Sequence, residues 1–319
     1  MTEQRGERFT VGVDFGTLSG RAVVSRVSDG VIVGEALHTY EHGVMDQVLS
    51  VGDGQPLPHD YALQVPDDYR QVLRIAVPQA VAASGVSPSD IVGIGIDCTS
   101  ATVIFADDDG VPLCELDEFR NEPHAYAKLW KHHGAQDQAH RIVALARERG
   151  ESWLARYGGD LSSELLLPKA LETLEKAPAV YARATQIVDA VDWITWQLSG
   201  TLSYAAGDSG YKRMYQDGQY PSPDFLAALN PGFAGVFTDK MAGPVLPLGA
   251  RVGGLNARAA EWTGLLEGTA VASGNIDAHV NAVSVNAVRA GQLTAIMGTS
   301  TCWVLPAEDY RDVPGIFGA

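Results

Sequence analysis

The sequence predicts an α/β fold, and three observations carry that expectation. Three regions dense in glycine and β-branched residues have the look of paired strands. Long apolar-periodic blocks between them have the look of helices. The two kinds of segment alternate along the chain.

The first region is "VGVDFGTLSGRAVVSRV", Val11 to Val27. Apolar residues alternate as far as Asp14, a Gly-Thr-Leu-Ser-Gly turn interrupts, and alternation resumes, which predicts a hairpin with a third strand over Val31 to Tyr40. "DDYRQVLRIAVPQAVAASG" predicts a helix kinked or broken at Pro78. The second region, "DIVGIGIDCTSATVIFADDDGVPL", predicts a strand to Ile96, a polar turn, a strand to Phe105 and a turn at Asp107 to Gly110. "HAYAKLWKHHGAQDQAHRIVALARERG" predicts one helix or two. Helical "SSELLLPKALETLEKAP" and "AVYARATQIVDAVDWITWQLSG" follow, with a stop at Ser199-Gly200. The third region, "GTAVASGNIDAHVNAVSVNAVRAGQLTAIMGTSTCWVLP", predicts strand, helix (Ala278 to Val288), strand, turn and strand.

Composition narrows the function. Of 319 residues, 46% are hydrophobic and 19% charged, as in a folded globular protein. With 39 acidic against 23 basic residues the net charge is −16, which argues against nucleic acid or an anionic membrane as partner. Cys98, Cys114 and Cys302 show no CxxC pairing, so neither a disulfide framework nor a zinc site is expected, in keeping with a reducing cytoplasm. The polar start "MTEQRGERF" has no apolar signal core, and no apolar run reaches membrane length. A soluble, cytoplasmic protein is expected.

Two stretches carry chemistry. A turn of Gly, Thr and Ser lets backbone N–H groups approach an anion, and an aspartate at the preceding strand end suits hydrated Mg²⁺. By spacing alone the same turn serves equally as a plain hairpin, with Arg21 solvated. It matches neither GxxxxGK[ST] nor GxGxxG. In "SGNIDAHVNAV", Asp277 falls between an apolar strand and an apolar helix, where a carboxylate either accepts a proton from a substrate hydroxyl or caps the helix.

"VGVDFGTLSGRAVV", "GIGIDCTSATVI", "VDWITWQLSG", "GNIDAHVNAV" and "MGTSTCWV" occur in that order, and together they resemble the FGGY carbohydrate kinases of the actin-like ATPase superfamily. "EFRNEPHAYAKLWKHH" and "AAGDSGYKRMY" narrow the resemblance to the branch that phosphorylates L-ribulose. The resemblance implies an actin-like ATPase (ribonuclease H-like) fold, with a mixed central sheet and flanking helices. It implies ATP and Mg²⁺ as cofactors and a ketopentose as substrate, with a homodimer left open. Asp14, Gly16, Thr17, Ser19 and Arg21 then resemble the first phosphate hairpin, with Asp14 near Mg²⁺. Gly298, Thr299 and Ser300 resemble the second phosphate loop. Asp277 resembles the catalytic base, and Thr99, Ser100, Ala101, Trp130, Lys212 and Asp277 the sugar contacts. Ser100 and Ala101 stand where glycerol kinases carry Arg-Glu, which argues against glycerol. Without the resemblance, Trp130 suits a helix core and Lys212 a solvated surface.

Other features are set aside. His132, His133 and His140 suit a solvated or partly packed helix surface. Asp107 to Asp109 suit a turn, and Cys98 and Cys302 suit small packing roles. The family's members are considerably longer. The boundaries implied are a sugar-binding lobe over residues 1–268 and the start of an ATP-binding lobe over 269–319. Weak or absent kinase activity is therefore expected of these 319 residues alone. Two other readings stay open: another pentulose kinase, acting on D-ribulose or xylulose, and a non-catalytic sugar-binding lobe.

Overall fold

The computed structural model describes residues 6–297 and 301–318. It opens with three antiparallel strands, β1 (Phe9–Phe15), β2 (Ser19–Arg26) and β3 (Ile32–Thr39). A short β4 (Leu63–Gln64) leads into the helix α1 (Pro66–Ser84). Strands β5 (Ile91–Cys98), β6 (Val103–Ala106) and β7 (Ala127–Lys128) follow. Next come α2 (Gln136–Arg149), α3 (Leu166–Lys176), α4 (Pro178–Arg183), β8 (Gln186–Asp189) and α5 (Ala190–Ser199). The chain continues through β9 (Tyr204–Ala205), α6 (Ala206–Tyr211), α7 (Pro223–Leu229) and α8 (Val236–Asp239). It closes with β10 (Val245–Leu246), β11 (Arg251–Gly254), α9 (Ala257–Thr263), β12 (Ala270–Ala272) and β13 (Asn275–Ile276). Last are α10 (Asp277–Ser284), β14 (Thr294–Met297) and β15 (Thr301–Val304).

The central sheet runs β11-β12-β5-β1-β2-β3, with β13 also pairing β5. It is mixed: β1, β12 and β13 lie parallel to β5, while β2 is antiparallel to both β1 and β3. Alternation along β1 buries Phe9, Val11, Val13 and Phe15 on one face and turns Asp14 to the other. α1 covers the buried face through Tyr69, Val72, Leu73, Ala76, Val77 and Ala80. Its approach to β3 is close, since a Cβ built on Gly34 would lie 2.4 Å from the Ala80 carbonyl oxygen. A second sheet, β4-β7-β6-β8, a parallel β9-β10 pair and a separate β14-β15 ladder complete the strands. Met297 and Trp303 of that ladder, and Leu305 just beyond it, are exposed. Among the described residues no helix is long and apolar enough to cross a membrane.

Three expectations need correction. α1 is not interrupted at Pro78 but runs through it. The carbonyl this proline leaves without a donor belongs to exposed Arg74, where water can serve it. The helix expected from His124 begins only at Gln136; ahead of it the chain makes a 3₁₀ turn and β7, which pairs with β4 and β6. Tyr126, Ala127, Lys128 and Leu129 are all buried in succession, a pattern of a strand enclosed on both faces. Finally, "TQIVDA" is no helix: β8 pairs antiparallel with β6 before α5 starts. The predicted stop at Gly200 holds, with φ 75°.

Candidate active site

Sheet register assembles the site. Asp14 and Asp97 are ladder partners across parallel β1 and β5, and Asn275 of β13 partners Asp97 from the other side. The carboxyl ends of these three strands therefore bring Asp14, Asp97 and Asp277 to one edge of the sheet, where open α/β sheets take their ligands. A cleft of about 1970 Å³ opens there. Asp14, Gly16, Thr17, Asp97, Thr99, Ser100, Ala101, Trp130, Lys212 and Asp277 all line it.

Two of the carboxyls are raised. Burial pushes Asp97 up to about 8, with the charges of Asp14 and then Asp277 adding to it. Burial also raises Asp277; the Ala278 amide, donating to Oδ1 at 2.6 Å, and the Lys212 charge oppose it, while Asp14 adds to it. The bond from the Ala278 amide is a capping-type contact, so Asp277 both satisfies a first-turn N–H of α10 and lines the cleft. A partly buried carboxylate with a raised pKa is a competent proton acceptor for a hydroxyl.

The first hairpin is tight. The Gly16 amide donates to the Ser19 carbonyl at 3.0 Å, and a Cβ on Gly16 would lie 3.2 Å from that oxygen. Thr17 is fastened twice: Gln64 Nε2 donates to its carbonyl at 2.8 Å, and Trp130 Nε1 donates to its Oγ1 at 3.2 Å. Trp130 is half-buried in a turn beyond β7 rather than in a helix core. Ser19 and Arg21 stand apart from the cleft lining. Ser19 closes the turn, and exposed Arg21 is the β2 partner of Asp14. Gly298, Thr299 and Ser300 lie outside the described residues.

Next to the first hairpin, the Thr99 amide donates to Phe15 O at 3.1 Å, tying the second turn to the end of β1. The Thr99 and Thr102 hydroxyls hydrogen-bond at 3.0 Å. Ala101 sits at φ 54°, a left-handed conformation uncommon for a residue with a Cβ. Lys212 follows α6, its amide donating to the Asp208 carbonyl at 2.7 Å. Beside it, His279 packs edge-on to Tyr211 at 4.5 Å. Burial, then the Lys212 charge, push its imidazole down to about 4, so it is neutral at pH 7.

The donor set suits Mg²⁺. Asp14 and Asp97 offer adjacent carboxylate oxygens whose mutual repulsion a divalent cation would relieve. Among the described residues no group of three or more His, Cys, Asp or Glu is arranged to hold a metal.

The sequence reading missed Asp97, although "GIGIDC" shows the same signature as "VGVDF", an acid closing an apolar strand. It also misplaced His132. That residue is fully buried in a turn, its Nε2 bonding Glu172 at 3.0 Å, while Lys128 Nζ donates to the same carboxylate oxygen at 2.6 Å. Histidine spacing alone could not reveal a partner forty residues away.

The mixed sheet with flanking helices, carrying carboxylates at parallel strand ends beside a cleft, has the actin-like ATPase fold. A xylulose kinase from Rhodospirillum rubrum shares it with a TM-score of 0.70 at 21% identity, over 97% of this chain and 59% of that one. The chain belongs to the FGGY family of carbohydrate kinases, whose N-terminal domain matches residues 9–284. A ribulokinase from Mycolicibacterium smegmatis is 54% identical over 318 residues, which cover 100% of this chain and 56% of the relative. A ribulokinase from Bacillus licheniformis is 44% identical over 302 residues, 94% of this chain and 54% of the relative. The chain thus spans little more than half the length of these relatives.

Proposed function

We propose that this chain serves ATP-dependent phosphorylation of a ketopentose, converting L-ribulose to L-ribulose 5-phosphate. The observation that carries the reading is the convergence of Asp14, Trp130, Lys212 and Asp277 on one cleft. Its support from relatives is that two proteins similar over this length bear the name ribulokinase.

In this reading the Trp130 face covers the C–H side of the sugar, and Lys212 donates to a hydroxyl or to the ketone oxygen. Asp277 removes the proton of the terminal hydroxyl as its oxygen bonds the γ-phosphorus and the bond to the β–γ bridging oxygen breaks, releasing ADP. Asp14, with Asp97 beside it, would hold Mg²⁺, which supplies charge neutralisation at the phosphate oxygens when bound. Thr17 and the amides of the first hairpin face the phosphates. The reaction takes place in the cytoplasm.

Calorimetric titration with L-ribulose, D-ribulose, D-xylulose and glycerol tests the reading. Selective L-ribulose binding that Lys212→Ala abolishes is the expected result. Preference for D-ribulose or D-xylulose would move the assignment to another pentulose kinase, and binding of no sugar would sink it.

A further inference from the structure

Lys169 of α3 is fully buried, and it lies outside the cleft lining. Its ammonium has three protons to donate, and its three hydrogen-bond partners are all backbone carbonyls. Nζ donates to Ala101 O at 2.7 Å, to Leu129 O at 2.8 Å and, more weakly, to Lys128 O at 3.4 Å. Two of these carbonyls are informative. Ala101 is the left-handed residue of the turn that lines the cleft, and Leu129 immediately precedes Trp130. The two segments come from different parts of the chain, after β5 and after β7, and one buried cation fastens both.

A lysine buried for packing alone is an expensive choice. Desolvating an ammonium costs several kcal/mol, and an apolar side chain of similar volume fills the same space without that cost. Charge-assisted bonds to three carbonyls offset it only while both segments hold their places. The cation therefore converts two loop positions into one rigid unit, with the Ala101 turn and Trp130 at a set separation.

We infer that Lys169 is a positioning residue for the sugar subsite, holding the Ala101 turn and the Trp130 ring in register from behind the cleft. Specificity follows from that geometry, because a sugar clasped between a ring face and a turn is selected by their separation. The inference rests on the proposed sugar reading for its binding arm, while its structural arm needs no ligand.

The test compares Lys169→Met, which keeps the volume and loses every donor, with Lys169→Gln, which keeps two. Fragment-resolved amide hydrogen exchange is measured on the sugar-free chain, together with its urea midpoint and the L-ribulose affinity. In Lys169→Met, exchange should rise about tenfold in the fragments holding residues 99–102 and 129–132, while α3 itself stays protected. L-ribulose binding should weaken by about tenfold or more, with Lys169→Gln intermediate in both readouts. If Lys169→Met does not fold, Lys169→Gln carries both measurements. Exchange that rises evenly over α3 and the core, or at neither segment, overturns the inference. So does loosening of both segments with unchanged L-ribulose affinity. If the unmodified chain binds no sugar, the functional reading fails, and the exchange pattern still decides whether Lys169 holds the two segments.

Discussion

Asp277 is where function is most exposed to a single substitution. It is half-buried at the cleft, its pKa is raised chiefly by burial, and its Oδ1 accepts from the first-turn Ala278 amide. As the general base, Asp277→Asn is expected to lower turnover about 10²–10⁴-fold in a coupled ADP-release assay on a full-length chain that carries both lobes. Sugar affinity by calorimetry should change far less, because removing a proton acceptor leaves ground-state contacts in place. Equal losses in both would make it a sugar contact only. At this scale the sequence was informative where an acid ends an apolar strand, as at Asp14 and Asp277. It was silent on Lys169, whose three acceptors are backbone atoms from other elements.

Between elements, the tightest constraint lies where α1 crosses β2 and β3. A Cβ on Gly20 would meet Val72 at 2.6 Å, a side chain that can shift, but on Gly34 it would meet the Ala80 carbonyl at 2.4 Å. Helix backbone cannot move locally, so Gly34→Ala should destabilise the protein by about 1–3 kcal/mol, visible as a lower urea midpoint at constant slope. An unchanged midpoint would mean that α1 rides freely on the sheet. The alternation that betrayed β1 and β2 arises because only one face meets α1. β7 and β8 lack that signal, being two and four residues long and buried nearly throughout. Length and enclosure hid them, not composition.

Across the whole molecule, buried charge sets the pH response. Asp192 is pushed up to about 8 by burial, with Arg213 opposing. Asp189 and Asp208 are likewise raised, first by burial and then by a neighbouring carboxylate, Asp192 for the one and Asp189 for the other. Between pH 6.5 and 8 the unfolded chain finishes deprotonating its histidines, and His124, His132 and His279, already neutral in the fold, offset part of the effect. The larger contribution comes from these acids, on which the folded protein still holds protons that the unfolded chain has lost. The unfolded state then binds fewer protons, so stability falls as pH rises from about 6.5 to 8. Lys169, pushed down to about 7 by burial, opposes this with a single proton. The urea-derived unfolding free energy should drop by about 1–2 kcal/mol between those two pH values, and Asp192→Asn should flatten the slope. A rise over that interval would show that these carboxyls are ionised in the folded state.

The sequence by itself determined the α/β class, the opening hairpin, the strand-end acids Asp14 and Asp277, and the family, because each rests on local alternation or on an ordered set of short motifs. Only the tertiary structure decided which of those residues meet. It placed Asp97 beside Asp14 through the register of two strands about eighty residues apart. It joined Thr17 to Trp130 through one indole N–H and set Ser19 and Arg21 aside from the cleft. It also turned an apparently solvated histidine into part of a buried ionic cluster. Periodicity reports which face of an element is buried. It carries no information about which distant element does the burying, and every one of these contacts depends on that.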